Sequence, residues 1–177
     1  MARIPYVEIA TLPPEMQAMV AHRPLNIFRM LPHAKTAAPG FLALGNALLT
    51  QGELDAGLRE LVIVRVGLLS HATYEVHQHK QLARRIGVAE AKIAALDEGP
   101  EAAAFDAREA AVLRFTDAVV REVKAPEALF AAVASHLSHR ELCELLLTIG
   151  FYMMVSRFLE NLEVDIEEQN LFERKAQ

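Results

Sequence analysis

"LRELVIVRVGLLSHATYEVHQHKQLARRIG", residues 58–87, predicts two consecutive helices of opposite character. The first, extended back to Asp55 and ending at Leu69, is apolar nearly all round, the pattern of a helix buried on every side. The second, Ala72–Ile86, is amphipathic. At about 100° per residue it gathers Ala72, Val76, Leu82, Ala83 and Ile86 on one face and Thr73, His77, Lys80, Gln81 and Arg84 on the other. Gly87 supplies a C-terminal stop, since glycine adopts the left-handed conformation that ends a helix. No segment of the chain alternates with period two, so the fold is expected to be all-α.

On either side of this pair, Pro and Gly divide the sequence into further helices. They are expected near Pro14–His22, Pro24–Leu31, Gly40–Gln51, Ala89–Leu96, Asp106–Val123, Pro126–His136 and Ser138–Leu162. Ser138 followed three residues later by Glu141 has the form of a capping box. A chain of 177 residues reads as one domain. It comprises a helical lead-in over 1–52, a half with the polar cluster over 53–97 and a C-terminal helical half over 105–165, joined by "EGPEAAAFDAREAA" (Glu98–Ala111). "LRELVIVRVGLL" (Leu58–Leu69) and "HRELCELLLTIGF" (His139–Phe151) echo one another. The echo fits two pseudo-repeated halves, and equally the chance recurrence of a common helix start.

Composition narrows the function classes. Lys and Arg number 18 against 23 Asp and Glu, a net charge of −5 with no basic run, which argues against a nucleic-acid partner. The single cysteine, Cys143, excludes an intrachain disulfide and fits a cytoplasmic location. It is expected to be an inert buried thiol. Pro5, Glu8, Pro13 and Pro14 interrupt the apolar stretch that an export signal needs. "LVIVRVGLL" (Leu61–Leu69) and "LLLTIGFYMMVSRFL" (Leu145–Leu159) each contain an arginine and are shorter than the ~20 apolar residues of a bilayer span, so both are expected to be core helices and no membrane association is expected.

The candidate chemistry lies in the quoted stretch. Glu75 and His79 fall on the apolar face at i, i+4, within contact range, and burying such a pair is costly unless both groups are satisfied. Two explanations stay open: an internal ion pair that fixes one helix on another, or an acid/base pair whose pKa values are moved by burial and mutual charge. His77 reads as a solvated surface residue. A metal site from His71, Glu75 and His79 is disfavoured, because ~80° of arc separates the outer two and the glutamate does not adjoin the first histidine as in the helical zinc signature. On the preceding helix, Glu60 lies among apolar neighbours, and Gly67 leaves room for a neighbouring helix or a ligand. Arg65, Glu144 and Arg157 are expected to form a structural charge network.

The run "RELVIVRVGLLSHATYEVHQHKQLARRIGVAEAKIAAL" (Arg59–Leu96) resembles the carboxymuconolactone decarboxylase and alkylhydroperoxidase D family, and the likeness extends to "IPYVEIATLPPEMQAM", "LNIFRMLPH" and "RELCELLLTIGFYMMVSRFLENLEV". The peroxidase branch of that family carries a glutamate, eleven residues, a cysteine, two residues, a second cysteine, three residues and a histidine. Here Glu60, Ala72, Glu75 and His79 occupy those positions with the spacing intact and both thiols missing. Peroxiredoxin-like thiol chemistry is therefore disfavoured: alanine cannot resolve a disulfide and a carboxylate cannot form a sulfenic acid. The resemblance implies an alkylhydroperoxidase D-like helical fold and homo-oligomers, commonly dimers, trimers or hexamers. It also implies a lyase or related proton-transfer reaction, as in aromatic catabolism, on a small acid or lactone. On that basis Glu60, Glu75 and His79 are the expected catalytic residues, with no cofactor and no metal, and His71, Ala72 and Tyr74 are candidates for substrate contact. A non-catalytic oligomer that keeps the polar trio as a buried network is the alternative.

Overall fold

The structure is a computed structural model that describes residues 1–22 and 25–167, with the side chains at 19 and 22 outside the description. All regular structure among the described residues is helical. After a 3-10 turn at Ile9–Thr11 come α1 (Pro14–His22), α2 (Ile27–Met30, continued by a 3-10 turn Leu31–His33), α3 (Ala38–Thr50), α4 (Ala56–Leu69), α5 (Thr73–Arg85), α6 (Glu90–Ala95), α7 (Ala107–Glu122), α8 (Glu127–Ala134) and α9 (His139–Leu162). The helix start expected at Pro24 lies outside the described residues.

The apolar sequence of α4 makes it the axis of the bundle. Every residue from Leu58 to Gly67 is buried, and the helix packs on α5, α7 and α9. Its N-terminus is capped by Asp55, whose carboxylate accepts from the Leu58 N–H at 2.8 Å. Gly67 serves packing: a Cβ there would stand 3.0 Å from Val76 Cγ2 and 3.4 Å from Glu75 Cβ on α5. The two helices therefore approach closely at the level of the polar residues.

Between α4 and α5 the chain reverses in three residues. His71 takes φ 54°, its N–H bonds the Leu68 carbonyl at 3.1 Å, and the Ala72 N–H bonds that of Gly67 at 2.8 Å. This is the two-bond closure that usually places glycine at the left-handed position. Gly87 fills that position at the other end of α5, with φ 92°. The capping box at Ser138 and Glu141 is formed, and a second joins Asp106 to Glu109. The two Arg-Glu-Leu runs play different parts: Glu141 closes its own helix start, whereas Glu60 lies two residues further along its helix and is wholly buried.

Three expectations are corrected. Arg65, Glu144 and Arg157 do not form one network. Arg65 pairs with Asp117 on α7 through Nε–Oδ1 at 2.7 Å and Nη2–Oδ2 at 2.6 Å, Glu144 takes Arg140 and two backbone N–H groups, and Arg157 donates to the Met153 carbonyl. Cys143 is exposed on the outer side of α9, where helical period, not apolarity of the surrounding run, decides burial. The buried face of α5 is centred on Tyr74, Glu75, Gln78, His79 and Ala83, with Ile86 exposed, because a polar cluster rather than Leu82 and Ile86 faces α4 and α9. By length and composition α9 would pass for a membrane span, yet half of its most apolar window is buried inside the bundle, as in a core helix.

Candidate active site

Glu60 on α4 and Glu75 and His79 on α5 converge. Glu60 is completely buried, Glu75 and His79 nearly so. The imidazole lies between the two carboxyl groups: Nδ1 is 2.6 Å from Glu60 Oε2, and Nε2 is 3.5 Å from Glu75 Oε2. With the proton on Nδ1 donated to Glu60, Nε2 is left to exchange a proton with Glu75. Glu75 Oε2 is buried and has no hydrogen bond, a costly condition that the nearby Nε2 only partly relieves.

Burial pushes the Glu75 carboxyl up to about 7, with the charge of Glu60 adding to the rise and His79 opposing it. For His79, burial favours the neutral ring, but the charge and hydrogen bond of Glu60 and the charge of Glu75 outweigh it and raise the pKa; Arg59 pulls the other way. A carboxyl that keeps its proton up to about 7 thus stands within reach of an imidazole whose own pKa is raised. Tyr152 of α9 meets the imidazole edge-on, ring centres 4.9 Å apart at 84°, and fixes its plane. Burial and the two glutamates hold the Tyr152 phenol well above its ordinary pKa.

The other expected contacts disperse. Ala72 is buried as the N-cap of α5 but has no side-chain cap to offer, and Glu160 from α9 accepts from the next N–H, Thr73, at 2.9 Å in its place. Tyr74 is buried, with its hydroxyl donating to Glu167 Oε1 at 2.6 Å, and Gln78 donates to the same carboxylate. That pair fastens the C-terminal segment to α5. His71 stands exposed in the turn outside the helix, so the one-helix metal arrangement is absent. No group of three or more His, Cys, Asp or Glu suited to a metal is found among the described residues. A surface concavity of about 380 Å³ is lined by Thr73, Tyr74, Leu159, Glu160 and residues 163–166, and none of the trio lines it.

Sequence reasoning gave no role to Arg59 or Tyr152. Arg59 was hidden by its place in a common helix-start run, and Tyr152 by the apolar run around it. The helical period would have exposed the second, since Tyr152 shares a face with Leu145, Ile149, Val155 and Leu159, all buried.

Residues 36–118, which include the whole trio, match the model of the Carboxymuconolactone decarboxylase family. Curated protein sequences give no significant match. Among solved structures, the fold is similar to the alkylhydroperoxidase AhpD core of an uncharacterized peroxidase-related protein from Ralstonia eutropha JMP134, with TM-score 0.84 and 21% identity over 94% of this chain and 93% of that one. An uncharacterized peroxidase-related protein from Silicibacter sp. TM1040 gives TM-score 0.80 and 20% identity over 92% and 90%. The debrominase Bmp8, solved as a Cys-to-Ala variant with 2,3,4-tribromopyrrole, gives TM-score 0.80 and 17% identity over 95% of each chain.

Proposed function

We propose, from the match of residues 36–118 to the carboxymuconolactone decarboxylase family model, that the chain is a member of that family and a cofactor-free proton-transfer enzyme, a decarboxylase or related lyase, acting on a small acid or lactone. The observation that carries this reading is the imidazole of His79 bridged between two buried carboxyl groups, at 2.6 Å and 3.5 Å. Glu60 orients the ring through Nδ1, and His79 with Glu75 holds one exchangeable proton between Nε2 and Oε2. In a decarboxylation the carbon–carboxylate bond breaks, carbon dioxide leaves, and the electron pair moves into an adjoining carbonyl to give an enolate. The proton of the His79–Glu75 pair is then delivered to carbon and is regained from solvent. Thiol peroxidase chemistry has no support, because Ala72 and Glu75 stand at the family's cysteine positions and Cys143 is exposed on another helix.

The competing reading is a non-catalytic network that locks α4 to α5, favoured by the near-complete burial of all three residues. His79→Gln separates the two. The protein and this variant are incubated in deuterated water with a panel of small keto acids and unsaturated lactone acids, and carbon dioxide release and deuterium incorporation are followed. Loss of turnover by about 100-fold or more with the melting temperature nearly kept supports catalysis. A destabilisation of about 3–5 kcal/mol with no compound turned over by the wild type overturns it.

A further inference from the structure

Two arginines of α4 are buried on the same helix and are used in opposite ways. Arg65 is fully committed: its fork meets both oxygens of Asp117 at 2.7 Å and 2.6 Å, and Nη1 donates to the Leu96 carbonyl at 2.8 Å. The side chain of Arg59 is 10% exposed, yet its Nε and Nη2 share a single oxygen, Glu60 Oε1, at 3.4 Å each. Charge-assisted hydrogen bonds are normally about 2.7–2.9 Å, so this contact is loose, and among the described residues Nη1 has no hydrogen-bond partner. Nearly buried but with no nitrogen orphaned out of solvent, the guanidinium can exchange its weak contacts for two stronger bonds to an anion.

The loosely held fork belongs to the trio's surroundings, since it touches Glu60 Oε1 while Glu60 Oε2 holds His79 at 2.6 Å, and its charge acts on His79 and Tyr152. Across Glu60 from it lies the imidazole of His79, with the unpartnered Glu75 Oε2 at that ring's Nε2. A positive fork next to a proton-carrying pair matches a ligand with a negative oxygen pair close to the carbon that changes its bonding. Resting on the proton-transfer reading above, we propose that Arg59 is the anion-binding residue of this site and that its substrate is a small carboxylate, held by two parallel N–H···O bonds from the guanidinium.

Acetate is the probe, with acetamide as its uncharged isostere, titrated at constant ionic strength. The imidazole resonances of His79, identified by their loss in His79→Gln, report binding at the site, and the acetate signal itself reports total binding. Acetate is expected to shift His79 saturably and acetamide is not. Arg59→Lys keeps the charge but loses the fork, and is expected to weaken acetate by about tenfold or more; Arg59→Gln is expected to weaken it further. An unshifted His79 in the wild type, equal binding of acetamide, or unchanged affinity in Arg59→Lys overturns the proposal, and the wild-type titration decides even where a variant fails to fold. Arg59-dependent acetate binding in a protein whose turnover ignores His79 overturns the proton-transfer reading alone. His79-dependent turnover without Arg59-dependent acetate binding overturns the anion site alone.

Discussion

Glu75 determines how the molecule responds to pH. Its carboxyl titrates near 7 when folded against an ordinary value of 4.5, so between those values the native state holds a proton that the unfolded chain has released. Stability is then fully present below about pH 4.5 and falls as pH rises through 7. The raised pKa of His79 acts in the same direction, with stability lost as pH climbs through its folded pKa. Glu75→Gln removes the larger cost while keeping shape and hydrogen-bonding capacity. It is expected to flatten the decline in stability between pH 4.5 and 7 and to be more stable than the wild type at pH 8, by a free energy on the order of 3 kcal/mol. A variant that melts below the wild type at pH 8 would contradict the assigned burial. His71 offers a second test at this scale. It closes α4 in the left-handed conformation at φ 54°, where a side chain is strained by about 1 kcal/mol relative to glycine. His71→Gly should therefore raise stability in a urea melt, and it should leave acetate binding unchanged because the exposed ring lies outside the trio.

At the scale of elements, α4 is fastened to α7 by Arg65 and Asp117, both nearly buried and bonded through two parallel contacts. Removing one partner strands the other in a low-dielectric interior, so Asp117→Ala is expected to cost about 3–5 kcal/mol, read as a lower denaturant midpoint with an unchanged slope. Replacing both residues by leucine should recover most of that loss, whereas a double variant as unstable as the single one would mean that the helices need the ion pair itself. This contact also marks the limit of what the sequence discloses about elements. Helix ends were legible to within a residue or two because Asp55, Gly87, Ser138 and Asp106 act on the backbone locally. The partner of Arg65 was not, because it comes from 52 residues away and nothing near either residue encodes the crossing of α4 and α7. The same division runs through the site. Glu75 and His79 share one helix, so their contact follows from the helical period. Glu60 was reached through a family spacing, and Tyr152 by neither route.

For the whole molecule, the pattern of burial leaves one region unexplained by the single chain. α3 has no charged residue from Ala38 to Thr50, and α9 has none from Leu145 to Ser156. The two helices touch through Phe41 and Phe151, ring centres 4.8 Å apart. Yet of the thirteen residues of α3 only Ala38 and Leu48 are buried, and Leu44, Leu146, Leu147 and Met154 remain exposed. Isolated apolar side chains at a surface need no explanation, but an uncharged stretch shared by two neighbouring helices does. An uncharged face repels no copy of itself, so self-association about a two-fold axis buries it at no electrostatic cost. This agrees with the oligomers that the family resemblance implies. Light scattering on the purified chain is expected to give at least twice the 19.6 kDa of one chain. Leu147→Glu, which sets a charge in the middle of the face, should shift the mass toward the monomer at micromolar concentration. Leu147 is 54% exposed in the single chain, so the substitution costs the isolated fold almost nothing, and a monomeric wild type or an unchanged mass in the variant would place the contact between copies elsewhere.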